Sequence, residues 1–309
     1  MISIIVCSKS QSDLQATQKQ VEQTIGVPYE IIAIENSSAK YGICEAYNLG
    51  ASQSKYDYLC FMHEDLRFYS QNWGVKVVEA LQDTQTGLLG IMGSIAKTKA
   101  PSGWSLATDL NLTRLNFIQK FPDGESRTSL INPEGKNTAE VVTLDGCWLC
   151  TRKDVWQKIP FDQTTFRHFH LYDLDYSIQV FTAGYKVCVL FGVSIEHLSV
   201  GNFDTKWIRE ALIFTKKWKD KLPVHLTSIQ SQELSSTELR TNKQFIKLML
   251  KNKFDKQVIF KYLLVCLSFG KFDSDLWYLW SQFLTGKSIN PIYSLSKRIK
   301  NLFHKASAH

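Results

Sequence analysis

No glycine stands between Cys7 and Asp13, so the loop after the first strand-like run is not a glycine-rich phosphate cradle. A basic leader with an apolar core of secretory length is also missing. Met1-Ile-Ser-Ile-Ile-Val6 reads as a first strand instead, and export is not expected. The seven cysteines are odd in number and irregular in spacing, which argues for reduced thiols in the cytoplasm and against a disulfide framework. Cys147-Trp-Leu-Cys150 is a lone CxxC without a second half, inside an apolar run, and reads as structural. There is no internal repeat, and 44% hydrophobic with 21% charged residues excludes disordered, collagen-like and coiled-coil classes. What remains is a globular chain of 309 residues, long enough to bury a sizeable core and carry an appendage.

The net charge of +7 is unevenly placed. Residues 241–309 hold twelve Lys or Arg against three Asp, leaving 24 basic and 26 acidic residues in 1–240. This asymmetry predicts a catalytic-sized domain over 1–215 and a basic, helical module over 216–309, rich in aromatics such as Phe245, Phe254, Phe260, Trp277, Tyr278, Trp280 and Phe283. The module's longest apolar run, Tyr262–Phe269, falls short of the about 20 residues a membrane crossing needs. Ordinary solvated helices are its first reading, and peripheral association of 241–309 with the inner face of a membrane is the second. The basic residues are scattered and no nucleic-acid motif is present, so no nucleic-acid partner is expected.

Short apolar runs alternate with helical periodicity along the front body: Ile2–Cys7, Tyr29–Ile34, Tyr58–Met62, Gly87–Gly93, Val141–Cys150 and Tyr185–Phe191 are the strand-like runs. The pattern predicts an α/β fold with a mostly parallel, Rossmann-type sheet flanked by helices. Several runs end in polar clusters, Glu35-Asn-Ser-Ser38 and His63-Glu-Asp65 among them. Ligands bind outside the carboxyl ends of such strands, although a plain polar turn gives the same signature. Residues 94–140 are polar and interrupted by Pro101, Gly103, Pro122, Gly124, Pro133 and Gly135, and read as a loop insertion of the lid or binding-loop kind.

The order of these motifs resembles the family 2 glycosyltransferases, which have the nucleotide-sugar-binding fold known as GT-A. Ser3-Ile-Ile-Val-Cys-Ser8, Glu35-Asn-Ser-Ser38, Gly42, Ala46, Asn48 and Gly50 carry the resemblance, followed by Phe61-Met-His-Glu-Asp65 at the place of the Asp-x-Asp motif. Asp145-Gly146, Tyr172-Asp173 at the place of a Glu-Asp pair, and His197 complete it. The His-Glu-Asp form and the His-Leu-Ser-Val-Gly201 ending look most like a bacterial subgroup related to a streptomycin-biosynthesis protein.

The resemblance implies an inverting, nucleotide-sugar-dependent transferase of bacterial polysaccharide or glycan biosynthesis, using a UDP-, GDP- or dTDP-sugar and a glycan or lipid-linked acceptor. It implies donor binding by Cys7, Ser8, Glu35, Asn36, Asn48, His63 and Asp65. A divalent cation, Mn2+ or Mg2+, would sit on Asp65, His197 and His63. Asp145, Gly146 and either Trp148 or Trp104 would meet the acceptor, and Asp173, or alternatively Asp175, would be the general base. Two positions depart from the family: His63 replaces an acid, which favours manganese or weakens metal dependence, and Tyr172 replaces a Glu. A catalytically silent glycan- or partner-binding protein and a nucleotidyltransferase are the competing readings.

Overall fold

The computed structural model describes residues 1–105 and 110–286. Two compact units divide at Glu238 and Leu239, within the helix Ser231–Lys251. Residues 241–286 of the basic segment are therefore covered, whereas 287–309 lie outside the described residues.

The first unit is α/β. Its main sheet runs Thr138–Val141, Lys186–Leu190, Thr86–Gly90, Trp148–Arg152, Tyr58–Met62, Ile2–Ser8 and Tyr29–Glu35 in spatial order. As expected, most strands of the sheet run one way, five of the seven, but the sheet is mixed, because Trp148–Arg152 and Thr138–Val141 run against the rest. Ile2–Ser8 pairs in parallel with both neighbours, whereas Trp148–Arg152 runs antiparallel between Tyr58–Met62 and Thr86–Gly90. An apolar run has no direction in its composition, so the sequence does not distinguish the two arrangements.

Alternation along Ile2–Ser8 sends Ile2, Ile4 and Val6 into one core cluster with Leu14 and Val21 of the helix Gln11–Thr24 and with Met62, Trp73 and Trp148. Each such side chain, fully buried, contributes about 1.5–3 kcal/mol. On the other face Ile5 meets the helix Ile43–Ser52, where a Cβ on Gly50 would come within 2.4 Å of the Ile5 side chain. Glycine at 50 lets that helix lie directly on the strand. The N-cap of Gln11–Thr24 is Ser10, whose hydroxyl accepts the Asp13 N–H. Glu64 decides this by accepting the backbone N–H groups of Lys9 (2.9 Å) and Ser10 (3.2 Å) and the Ser8 hydroxyl (2.7 Å).

Residues 94–140 differ from the loop expected of them. Thr113–Lys120 and Ser126–Ile131 form a hairpin closed around Asp123-Gly124, within a second sheet that also contains Met92–Ser94, Thr143–Leu144, Ile195–His197 and Leu66–Phe68. Leu115 and Phe117 face the core while the partner strand is almost wholly exposed, so its polarity reflects a wet face and not irregular backbone. Of this segment, 106–109 lie outside the described residues.

In the second unit the described residues are helical. Lys256–Leu267 and Ser274–Thr285 pack on each other, and Phe245 packs edge to face on Tyr262 at 5.2 Å.

Candidate active site

Pairing in the main sheet aligns chemistry at one edge. Ser8 is opposite Glu35 and Val6 opposite Met62, so the parallel strands leave Lys9, Asn36 and His63 at the same border. The antiparallel strand places Trp148 opposite Met62, which returns Asp145-Gly146-Cys147 to that border, and the His63 N–H bonds the Cys147 carbonyl at 3.0 Å. The helix Tyr172–Thr182 starts there too, its entry residue Leu171 held at φ 61°. A cavity of about 570 Å3 opens at this edge, lined in part by His63, Trp104, Asp145, Gly146, Asp173 and His197.

His197 reaches the site through the second sheet. Ile195–His197 pairs with Leu66–Phe68 so that His197 stands opposite Leu66, and the Leu198 N–H bonds the Asp65 carbonyl at 3.0 Å. His197 Nε2 lies 3.4 Å from Asp65 Oδ2, and His63 Nδ1 lies 4.0 Å from Asp65 Oδ1. One donor atom from each residue falls within 4.8 Å of the others.

The tautomer of His63 follows from its neighbours. The Tyr172 hydroxyl has one proton, which it donates to the Gly146 carbonyl at 2.8 Å. Its contact with His63 Nε2, 3.0 Å, must then run from the imidazole N–H to the phenol oxygen. His63 Nδ1 is left with a bare lone pair facing a carboxylate. Burial first, and the His197 charge second, push His63 down to about 4, so this ring is neutral at ordinary pH. Burial acts against ionising Asp65 and His197 alike, but their mutual hydrogen bond and charge outweigh it, lowering Asp65 and raising His197. Two imidazoles and a carboxylate converging in this way fit a divalent cation, and the nitrogen content suits Mn2+ better than Mg2+.

Asp173 is held on the same residue, Gly146. Gly146 N–H donates to Asp173 Oδ2 at 3.0 Å, while Gly146 C=O accepts the Tyr172 hydroxyl. A Cβ at position 146 would lie 2.3 Å from that hydroxyl and 2.9 Å from the Asp173 Cβ, so only glycine fits. Burial, reinforced by the nearby Asp145 carboxylate, raises Asp173 to about 7.

Other sequence-derived candidates do not line that cavity. Asp175, two residues on, is not a lining residue: Lys217 binds it at 2.6 Å, with Trp218 Nε1–H and the Gln179 amide as further donors. Trp148 has no exposed surface and packs edge to face on Trp73 at 6.0 Å, so no sugar face can stack on it. Asn48 spends its amide on Phe161, Gln163 and Trp156, tying Ile43–Ser52 to the segment 156–163. Asn36 closes its turn through Tyr41 and donates to Cys7 Sγ at 3.3 Å. Ser8 is engaged by Glu64. Glu35 is exposed at its strand end, where Ser37 hydrogen bonds lower its carboxyl below the ordinary range. Sequence reasoning missed Phe169, whose ring lies 5.3 Å from the His63 ring and 5.2 Å from the Lys9 ammonium. It also missed Ser199, whose hydroxyl lies 3.3 Å from His197 Nε2.

The family model for glycosyltransferase-like proteins matches residues 3–221. A search of curated proteins finds no match. Among solved structures the chain is similar to GalNAc-T7, crystallised with UDP, GalNAc and Mn2+, at 11% identity and a TM-score of 0.48, covering 80% of this chain. The chain spans 56% of the GalNAc-T7 chain's length. It is also similar to A197 from STIV, at 11% identity and a TM-score of 0.38, covering 64% of this chain and 86% of that one. With the family match running over well more than half of its length, the chain belongs to the glycosyltransferase-like family.

Proposed function

We propose that the cleft transfers a sugar from a nucleotide-sugar donor to an acceptor hydroxyl with inversion at the anomeric carbon. One observation carries this reading: a buried carboxylate raised to about 7 and a two-imidazole, one-carboxylate donor set meet at the same cavity, joined by the Gly146 peptide. Asp173 takes the proton of the acceptor hydroxyl, whose oxygen bonds to the anomeric carbon as the bond to the nucleoside diphosphate breaks. A base whose pKa lies near the working pH is half-ionised when needed and still basic enough to act.

His63, Asp65 and His197 would hold a divalent cation, Mn2+ in first place, which would supply positive charge to offset that of the departing diphosphate. Cys7, Ser8, Glu35 and Asn36, at the ends of two paired parallel strands, form the nucleotide side, as the family resemblance suggests. Trp104 and Asp145 form the acceptor side. The product belongs to glycan or polysaccharide assembly, with a glycan or lipid-linked acceptor and a cytoplasmic site of action.

Calorimetric titration of UDP, GDP, dTDP and CDP, with Mn2+ and with chelator, tests the reading. One nucleoside diphosphate is expected to bind in a Mn2+-dependent manner, with affinity about 10–100-fold lower in Asp65→Ala. Binding of none of the four would move the weight to a silent glycan-binding module.

A further inference from the structure

Among the described residues, the helices of the second unit leave a set of large apolar side chains exposed. On Lys256–Leu267 the residues Ile259, Tyr262, Leu263 and Cys266 are buried, whereas Phe260, Leu264 and Leu267 are exposed. Positions i, i+4 and i+7 form one stripe along a helix. Ser274–Thr285 buries Leu276 and Leu279 and exposes Trp277 (46%) and Leu284 (72%), again seven residues apart on one face. Phe260 lies 5.8 Å from Trp280 and 6.0 Å from Phe283, so the two stripes border a shared aromatic seam. Phe272, 59% exposed, projects from the turn between the helices.

The charge around this surface is predominantly basic. By the helical repeat Lys256 and Lys261 edge the first stripe, and Lys253 and Lys271 are exposed at its two ends. The acids offer little opposition: Asp255 caps Lys256–Leu267, and Asp273 caps Ser274–Thr285 while pairing with Lys243. Residues 239–286 contain eight basic and three acidic side chains, so two copies of the face would oppose like charges. No helix among the described residues is long and apolar enough to cross a membrane. Aromatic and aliphatic side chains flanked by lysines, on helices lying flat, match the boundary between acyl chains and anionic headgroups, where lysine stems lie along the apolar layer and the ammonium groups reach phosphate.

We propose that Phe260, Leu264, Leu267, Phe272, Trp277 and Leu284, with their lysine border, dock the protein peripherally on an anionic lipid surface. The inference stands independently of the glycosyl-transfer reading. Its test is co-sedimentation of the full chain with vesicles of mixed phosphatidylglycerol and phosphatidylcholine, against phosphatidylcholine alone. Salt-sensitive binding to the anionic vesicles is expected, weakened about tenfold or more in both Leu264→Ser/Trp277→Ser and Lys256→Glu/Lys261→Glu. Because these side chains are exposed, the circular dichroism of both variants is expected to match the parent. The proposal is overturned by no binding of the full chain to anionic vesicles, or by binding that both variants leave unchanged. A dimer in sedimentation velocity that Leu264→Ser/Trp277→Ser dissociates would equally overturn it, since a second copy would then cover the face.

Discussion

Tyr172 stands where the resembled family has an acid, and its geometry gives the replacement a purpose. By accepting the His63 Nε2–H and donating to Gly146, it fixes the imidazole with Nδ1 toward Asp65. Tyr172→Phe removes that acceptor while keeping the buried ring, so Mn2+ affinity is expected to fall about tenfold with little loss of fold. Mn2+ titration followed by electron paramagnetic resonance reads the change, and unaltered affinity would show that the hydroxyl does not position the ligand. His63, Asp65, Asp173 and His197 were legible in the sequence as polar residues at element ends. The hydrogen bonds that orient them were not, because Tyr172 and His63 lie 109 positions apart. Trp148 and Asn48 show the opposite failure. The family resemblance implies recognition in both, but the side of the strand or helix that each occupies is settled by tertiary packing.

At the scale of elements, the helix Tyr172–Thr182 carries two carboxylates with opposite tasks. Asp173 faces the cavity with a backbone N–H for company, while Asp175 is buried on the Lys217 ammonium. Burial raises Asp175 and Lys217 only partly offsets this, so the pair anchors Thr205–Lys217 against Tyr172–Thr182. Lys217→Met leaves the buried charge uncompensated and is expected to cost about 3 kcal/mol of stability at pH 8. The sign follows from the direction of the shift. With its folded-state pKa above the unfolded value, Asp175 destabilises the fold once ionised, so the loss shrinks as pH falls through that pKa and the carboxyl protonates. Urea unfolding at pH 5 and 8 measures it, and an equal loss at both would contradict the account. The α/β alternation itself was readable from periodicity. The reversed direction of Trp148–Arg152 and the hairpin within 94–140 were not, since the first leaves no mark on composition and the second is polar because one face is wet.

Across the whole molecule the two units, divided at Glu238 and Leu239 and not at the 215/216 boundary expected from the sequence, present two kinds of surface. The first unit gathers its unusual groups around one cavity at the sheet edge, and the second displays lysines and apolar side chains on short helices. The family match covers most of the first unit and none of 239–286, so whatever the second contributes is additional to the family's shared part.

The central claim is that Asp173 is the base of an inverting transfer, and its most direct test is turnover of the donor that the calorimetry identifies. Activity and anomeric configuration of the product would be followed from pH 5 to 9 for the parent and Asp173→Asn. The account predicts the inverted anomer, with activity that rises through about pH 7 as the carboxyl ionises. It also predicts a fall in kcat of about 100- to 10,000-fold in the variant, with donor affinity retained. A retained anomer, or turnover at the parent's rate in Asp173→Asn, would contradict it.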